Sequence, residues 1–119
     1  MTVQELRSFC MALPGTHEKE TFGDATHPGH PTFRVRDRIY VIAGEHGDGI
    51  SVRTSREQQV DLVDAFPDLA RPAPYVGRFG WTWLDLRAAD EALVRDVVTS
   101  AWRRTAPKTV VAGWEEGRA

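Results

Sequence analysis

Apolar residues near the start of the chain recur with the period of a helix. Four of them stand at positions i, i+3, i+4 and i+7: Leu6, Phe9, Cys10 and Leu13. Thr2 and Glu5 match the capping box that begins a helix, and Pro14 is typical of a helix end. The pattern therefore predicts an amphipathic first helix, with Cys10 in the core rather than available as a reactive thiol.

A strand pattern replaces the helical one in the next part of the chain. Residues 18–22 predict a short strand, and residues 23–31 predict a loop. Polar and apolar residues then alternate through residues 32–36, 38–44 and 50–54, which predicts three strands. Glycine and aspartate between the last two strands supply the chemistry of a hairpin turn. These strands are therefore expected to be neighbours in the sheet.

A second helical pattern and one more strand pattern follow. Ser55 and Gln58 match another capping box, and the helix that they begin presents an apolar face. That face consists of Val60, Leu62, Val63 and Phe66. Residues 67–75 contain three prolines and predict a rigid connection, whereas residues 80–86 alternate and predict a strand.

The last strong pattern is a helix that Asp90 is expected to cap. Its apolar face consists of Leu93, Val94, Val97, Val98, Ala101 and Trp102. Pro107 then begins a final short helical turn, and the chain after about residue 114 is expected to fray.

The predicted elements follow one another in the order α-β-β-β-β-α-β-α. Strands that cluster in this way form an antiparallel sheet, and the helices cover one of its faces. The predicted fold class is therefore α+β, a two-layer sandwich. With 119 residues and neither repeats nor low-complexity segments, the chain is expected to form a single domain over residues 1–119.

Composition and charge narrow the classes of function. A hydrophobic content of 41% and a charged content of 27% are ordinary for a globular protein. The sequence has no apolar run near the roughly 18 residues of a membrane span and no signal pattern at its start, so a cytoplasmic location and no membrane partner are expected. The formal net charge of −2 argues against a general affinity for nucleic acid but permits a local basic patch.

No residue pattern indicates catalysis, a metal or a cofactor. Of the four histidines only His27 and His30 are close in sequence, whereas a zinc site needs three or four ligands. The single cysteine, Cys10, excludes an intramolecular disulfide and a cysteine metal cluster. The sequence lacks a nucleophile elbow, a Walker loop and a dinucleotide fingerprint. We therefore expect a non-enzymatic domain with no catalytic residues, no metal site and no cofactor.

Strand alternation assigns the outer face of the sheet. Because unpaired charges are not buried, the charged members of each strand must face away from the helices. The predicted outer face carries Arg34, Arg36, Arg53, Trp81, Trp83 and Asp85. Residues 38–44 leave the choice open, because Ile39 and Val41 oppose Tyr40 and Ile42 and both pairs are apolar enough for the core.

Arginines and tryptophans on one face permit three interpretations. In single-strand binders, aromatic rings stack on bases while guanidiniums bind phosphates. The same residue types dominate protein interfaces, so the face is equally suited to a protein or a small molecule. In the third interpretation, arginine stems only cover the tryptophan rings of a solvated sheet face.

Four segments of the chain resemble the MmcQ/YjbR-like family. They read ALPGTHE, HPTFRVRDRIYV, FPDLARPAPYVGRFGWTWLDL and AWRRTAPK, and the resemblance runs from about Leu6 to Lys108. It implies a CyaY-like α+β fold and the DNA-binding activity that is predicted for the family. The family motif corresponds to Tyr75, Gly77, Arg78, Trp81 and Lys108.

The residue patterns and the resemblance together define a candidate site. It consists of Arg34, Arg36, Arg53, Tyr75, Arg78, Trp81, Trp83 and Lys108. The predicted function is that of a binding module. DNA or another nucleic acid is the first expected partner, and a protein or a small molecule bound by the same face is the alternative.

Overall fold

The structure is a computed structural model that describes residues 1–23, 29–45 and 48–118. Its helices are α1 (Val3–Ala12), α2 (Arg56–Ala65), α3 (Glu91–Thr105) and α4 (Lys108–Glu116). Its strands are β1 (Thr16–Thr21), β2 (His30–Val35), β3 (Arg38–Glu45), β4 (Gly49–Val52), β5 (Ala70–Pro72) and β6 (Thr82–Asp85). The predicted α+β class and the predicted order of elements are confirmed.

The strands of the described part form one antiparallel sheet in the order β1-β2-β3-β4-β6-β5. Edge strand β5 lies within residues 67–75, where the sequence predicted a rigid connection and no strand, so that prediction is wrong for Ala70–Pro72. Pro72 is compatible with this position, because an edge strand has one side that needs no N–H donor. A strand of three residues is too short to show alternation in the sequence.

A bulge in β3 settles which residues of this strand face the core. Phe33 pairs with Val41, whereas the next residue, Arg34, pairs with Ile39. Tyr40 is therefore the extra residue of a β-bulge. Tyr40 and Val41 are both fully buried, and the Tyr40 hydroxyl is hydrogen-bonded to a threonine of β1 at 2.8 Å. Strict alternation fails in this strand because it does not allow for the inserted residue.

The helices cover one face of the sheet, and the core lies between the two layers. α1 packs against β1, and α3 packs across β3 and β4. Trp102 of α3 is the largest fully buried side chain, and its Nε1 donates to the Pro14 carbonyl at 2.9 Å, which ties α3 to the end of α1. Other fully buried side chains are Leu6, Cys10, Phe33, Ile50, Val52, Leu84, Val94 and Val98.

Two of the three predicted helix caps are present. The Glu5 N–H donates to Thr2 Oγ1 at 3.1 Å and the Thr2 N–H donates to Glu5 Oε1 at 3.0 Å, which completes the capping box of α1. At the start of α2, the Gln58 N–H donates to Ser55 Oγ at 3.0 Å. Asp90 occupies the N-cap of α3, but its side chain makes no cap hydrogen bond, contrary to expectation.

Helix α2 buries less of its apolar face than predicted. Leu62 is buried, whereas Val60 is 54% exposed and Phe66 is 37% exposed. The reason is position, because α2 packs against β5, an edge strand of three residues, and therefore meets little sheet surface. The predicted helix is confirmed, but only part of its apolar face reaches the core.

Some sequence predictions fall outside the described residues. They concern His27, His46 and most of the loop predicted at residues 23–31. Within the described ranges, no helix combines the length and the apolar character that crossing a membrane requires.

Cys10 belongs to the core, as the helical pattern predicts. It is fully buried, and burial raises the pKa of its thiol to about 12. Burial also raises the pKa of the neighbouring Tyr40 hydroxyl. Both side chains are therefore neutral in the folded protein at neutral pH.

We expect Cys10 to react with a thiol reagent such as DTNB only when the protein unfolds, because a buried neutral thiol supplies no thiolate. Labelling should rise with urea along the unfolding transition and not before it. The pKa of the Cys10 thiol in the folded protein lies above its ordinary value of 9.0, so its neutral form favours the folded state. This stabilisation is complete below pH 9.0 and is lost as the pH rises towards about 12. Rapid labelling without urea would contradict the core assignment.

Candidate functional site

The centre of the outer sheet face is closed. Thr32 and Ser51 are fully buried, and Trp83 is only 8% exposed. The guanidinium of Arg71, on neighbouring β5, lies over the Trp83 ring at 4.1 Å from its centroid. Gly49 leaves the space that the indole fills, since a Cβ there would lie 2.0 Å from Trp83 Nε1. The predicted exposure of Trp83 is therefore wrong, and the interpretation in which an arginine covers a tryptophan holds at this position.

Arg34 lies on the outer face, as predicted, and is held along the sheet. Its Nε donates to Thr32 Oγ1 at 3.1 Å, and its Nη2 donates to Thr21 Oγ1 at 2.7 Å. Trp81 is half-buried and immediately precedes β6. Together with the closed centre, these positions leave no open arginine–tryptophan surface on the described sheet face.

Arg36 and Arg53 lie beyond the ends of their strands, where alternation no longer fixes the direction of a side chain. β2 ends at Val35, and Arg36 occupies the following turn with a φ of 48°. β4 ends at Val52, and Nη1 of Arg53 lies 3.4 Å from Thr105 Oγ1 on α3. The predicted outer-face position is wrong for both residues, because one lies in a turn and the other reaches the helix layer.

Strand ends bring arginines together at one end of the sheet. β2 ends and β3 begins there, since Val35 pairs with Arg38, and β4 ends next to the start of β6. The last turn of α3 meets the same end. Two exposed carboxylates, Asp37 and Glu57, are sequence neighbours of these arginines. We call this region the basic end; it carries Arg36, Arg38, Arg53, Arg56, Arg78, Arg104 and Lys108.

Acidic residues gather at the opposite end of the sheet. β4 begins and β6 ends there, because Gly49 pairs with Asp85. Asp48 lies in the same place and pairs with Arg87 at 3.3 Å. Helix α3 begins nearby with Asp90 and Glu91. The net charge of −2 is therefore unevenly distributed, and the basic end is locally positive.

A loop at residues 74–81, which we call the aromatic loop, presents large side chains at the basic end. It contains the 3₁₀ turn Val76–Phe79. Tyr75 is 88% exposed and Phe79 is 62% exposed. The guanidinium of Arg78 lies 4.8 Å from the centroid of the Phe79 ring. The loop therefore offers two aromatic rings and one cation to the surroundings.

Tyr75 is the central residue of a strained γ-turn. Its φ of 61° and ψ of −53° belong to the rare positive-φ form of this turn. The Val76 N–H donates to the Pro74 carbonyl at 2.6 Å, which is the hydrogen bond that closes such a turn. A bulky residue in this conformation costs about 1–3 kcal/mol. Packing does not explain the choice of tyrosine, because the side chain is almost fully exposed.

Three side chains from the segment after β4 hold the backbone of the aromatic loop. Gln59 Nε2 donates to two loop carbonyls, at 2.9 and 2.6 Å. Thr54 Oγ1 donates to the Gly80 carbonyl at 2.5 Å, and Arg56 donates to the carbonyl of Arg78. Gly80 has a φ of 102°, and a Cβ there would lie 2.9 Å from the Arg56 nitrogen. These contacts make the loop a rigid platform.

The charges of the basic end affect one another. Partial burial lowers the pKa of the Arg53 guanidinium, and the positive charges of Arg38 and Arg104 lower it further. Arg53 remains protonated at neutral pH, because an arginine titrates far above it. The lowered pKa reflects the partial burial of Arg53 first and its repulsion by Arg38 and Arg104 second.

The structure brings together five of the predicted site residues and separates others from them. Arg36, Arg53, Tyr75, Arg78 and Lys108 lie in the segments that end or begin at the basic end, whereas Arg34 and Trp83 belong to the closed sheet face. Sequence reasoning missed Phe79, Arg38, Arg56 and Arg104. Phe79, Arg38 and Arg104 stand inside segments that carry the family resemblance, so a signal for them existed. Arg56 lies outside those segments and joins the site only through the fold.

Metal ligands do not gather in the part of the chain that the structure describes. No group of three or more histidine, cysteine, aspartate or glutamate residues converges there. His17 lies 4.0 Å from Asp37, which is a single exposed pair. The candidate site is therefore built from guanidiniums, aromatic rings and backbone.

Comparisons with known proteins agree with this architecture. The YjbR family model matches residues 11–104. One similar solved structure is the crystal structure of the Deinococcus radiodurans protein DR2400, with the family-model domain DUF419. The two chains are 23% identical with a TM-score of 0.73, over 85% of this chain and 75% of that chain. No curated protein matches the chain. At this identity the similar structure establishes the fold and not the function.

We expect Tyr75→Gly to raise the free energy of unfolding, by up to about 1 kcal/mol, because glycine adopts positive φ without steric cost. The lost ring removes little packing, since it is almost fully exposed. Tyr75→Ala keeps the strain and serves as the control, with an expected change below about 0.5 kcal/mol. Urea denaturation measures both variants. A clear loss of stability in Tyr75→Gly would mean that the ring packs against the protein.

Proposed function

This chain belongs to the YjbR family, and we propose that it is a non-enzymatic binding domain whose basic end and aromatic loop bind single-stranded nucleic acid. The observation that carries the proposal is the position of Tyr75. A highly exposed tyrosine sits on a strained turn of a braced loop, next to a group of arginines. Stability does not favour such a tyrosine, so recognition is the better reason for it.

The two exposed rings suit unpaired bases. Stacking of a base on an aromatic side chain contributes about 1–3 kcal/mol and tolerates any base. Tyr75 and Phe79 offer such surfaces, and Arg78 lies beside the Phe79 ring. Bases in a duplex are already stacked and paired, so rings on a protruding loop favour a single strand.

The arginines of the basic end suit the phosphates of the same strand. Arg36, Arg38 and Arg104 are exposed around the partly buried Arg53. If about four of these cations contact phosphates, log K should fall with log salt at a slope of about −3 for a single strand. The binding surface is small, so we expect micromolar rather than nanomolar affinity at low salt.

A protein partner is the second candidate for the same surface. Tyrosine and arginine are enriched among the residues that dominate protein interfaces, and a rigid loop loses little entropy on binding. That alternative predicts binding that depends on Tyr75 and Phe79 but hardly on salt. The salt dependence of binding therefore separates the two candidates.

We expect fluorescence anisotropy to show binding of a labelled oligothymidine by the unmodified protein at low salt. Phe79→Ala should weaken binding about tenfold through loss of one stacking surface. Phe22→Ala is a matched control, because Phe22 is also 62% exposed but follows β1 at the acidic end. Arg78→Gln should weaken binding and reduce the salt slope by about 0.7.

Two outcomes would contradict the proposal. One is the absence of binding to single-stranded DNA and RNA at tens of micromolar protein. The other is an equal loss of affinity in Phe22→Ala and Phe79→Ala, which would place the strand elsewhere on the protein. Circular dichroism should first show that both variants retain the fold.

A further inference from the structure

Three arginines lie where β3 begins, β4 ends and α3 ends. They are Arg38 at the start of β3, Arg53 directly after β4 and Arg104 in the last turn of α3, and we call the region that they define the arginine niche. The Arg53 backbone extends the ladder, since its N–H donates to the Tyr40 carbonyl at 3.0 Å. Its side chain is steered towards α3, where Nη1 lies 3.4 Å from Thr105 Oγ1. Backbone and side chain therefore both position the central guanidinium of the niche.

Positive charge in the arginine niche is not neutralised by carboxylates of the described residues. None of the three arginines forms an ion pair there. Other arginines of α3 differ in this respect, because Arg95 pairs with Glu91 at 3.2 Å and Arg103 pairs with Glu115 at 3.1 Å. The niche thus stands out from the ordinary paired surface of α3.

Mutual repulsion in the arginine niche is only partly offset by the protein. The carbonyl end of α3 contributes about half a negative charge to its surroundings. Asp37 lies between Arg36 and Arg38 in sequence, but its side chain is 96% exposed and is directed to His17. Three guanidiniums less the half charge of the helix end leave about two and a half positive charges without compensation, and part of that charge is withdrawn from water at Arg53.

We infer that the arginine niche binds a phosphomonoester group, such as the terminal phosphate of a nucleic-acid strand. A phosphomonoester carries about −1.5 to −2 charge at neutral pH and three acceptor oxygens, which offsets most of the uncompensated charge of the niche. Guanidinium groups bind such oxygens with paired hydrogen bonds. A backbone phosphodiester carries a single charge and neutralises less of the repulsion.

The strand-end form of this inference rests on the proposed function and makes it more specific. Arg53 is followed directly by Thr54, which holds the Gly80 carbonyl of the aromatic loop. Arg56, three positions after Arg53, donates to the Arg78 carbonyl of the same loop. A strand whose terminal phosphate occupies the niche would extend its first bases towards Tyr75 and Phe79. The ligand class is thus a strand end or a nucleotide.

Thermal unfolding in inorganic phosphate and in sodium chloride of equal ionic strength tests the niche by itself. At phosphate about tenfold above Kd, the midpoint of the unmodified protein should rise by about 5 °C. Arg53→Gln should be no less stable than the unmodified protein in chloride, since repulsion is relieved, and should lose the phosphate-specific rise. Arg104→Gln, at an exposed position, should lose most of it and remains informative if Arg53→Gln fails to fold.

Arg87→Gln is the control, because Arg87 is an exposed arginine at the acidic end. It should keep the full phosphate response, including the general stabilisation that phosphate gives to any protein. An equal response in Arg53→Gln, Arg104→Gln and Arg87→Gln would overturn the niche. A loss of stability in Arg53→Gln that is the same in phosphate and chloride would assign Arg53 a structural role instead and would also overturn it.

Oligonucleotides with different ends separate the possible sources of the phosphate. An oligothymidine with a 5′-phosphate, one with a 3′-phosphate, one with two hydroxyl ends and a nucleoside monophosphate are titrated in parallel. We expect one phosphorylated end to bind about tenfold more tightly than the hydroxyl ends, and Arg53→Gln to abolish that gain. Binding of the nucleoside monophosphate, without tighter binding of either phosphorylated oligonucleotide, would identify a nucleotide as the ligand.

Failure of the niche and failure of the proposed function give different results. Binding of the hydroxyl-ended oligonucleotide without any gain from a terminal phosphate or from inorganic phosphate would overturn the niche alone. A phosphate response that Arg53→Gln removes, without binding of any oligonucleotide, would support the niche and overturn single-strand binding.

Discussion

The hydroxyl of Thr54 joins the parts from which the candidate site is built. It lies 2.7 Å from Thr82 Oγ1 at the start of β6 and 2.5 Å from the Gly80 carbonyl in the aromatic loop. Its own residue stands between Arg53 and the cap of α2 at Ser55. One buried side chain therefore fixes the sheet end, the loop and the central arginine relative to one another. Buried hydroxyls need partners, so this arrangement has few alternatives.

Because these contacts fix the backbone, the structure can retain a strained turn and a group of like charges that a less constrained backbone would relax. The γ-turn at Tyr75 is strained, and the arginine niche is repulsive. Both costs fall at the same end of the sheet, and neither improves the core. Strain persists where the surrounding structure determines the backbone more strongly than the local sequence does. The carbonyl contacts from Gln59 and Thr54 supply that determination here.

Periodicity predicted the layers of the fold, because burial of α1, α3 and the central strands follows from repeated spacing along the chain. It failed where a single residue changes the count, as at the Tyr40 bulge, or where an element is too short to repeat, as in β5. The burial of Trp83 could not be predicted, because it depends on the cross-strand neighbours Gly49 and Arg71. These contacts are set by register, and register is a property of strand pairing.

Some residues of the candidate site could be predicted from the sequence, and different signals identified different residues. Tyr75 and Arg78 were identified through the family resemblance, and the structure adds the reason for the tyrosine in the form of the strained turn. Arg53 was identified through alternation but placed on the wrong side, since alternation ends with the strand. Arg38 and Arg104 are far apart in the chain, and only the topology of the sheet and of α3 brings them together.

The net charge of the chain was a weak guide to the ligand, because the fold places the charges at different ends of the sheet. The total of −2 argues against an anionic ligand only if the charges act together at one place. Arg53 directly follows β4 and Asp48 directly precedes it. These two residues are five positions apart, or about 17 Å along an extended strand. At physiological salt the Debye length is about 8 Å, so the acidic end is largely screened from a ligand at the basic end. An anion that approaches Arg53 therefore experiences the local arginines rather than the average charge of the domain.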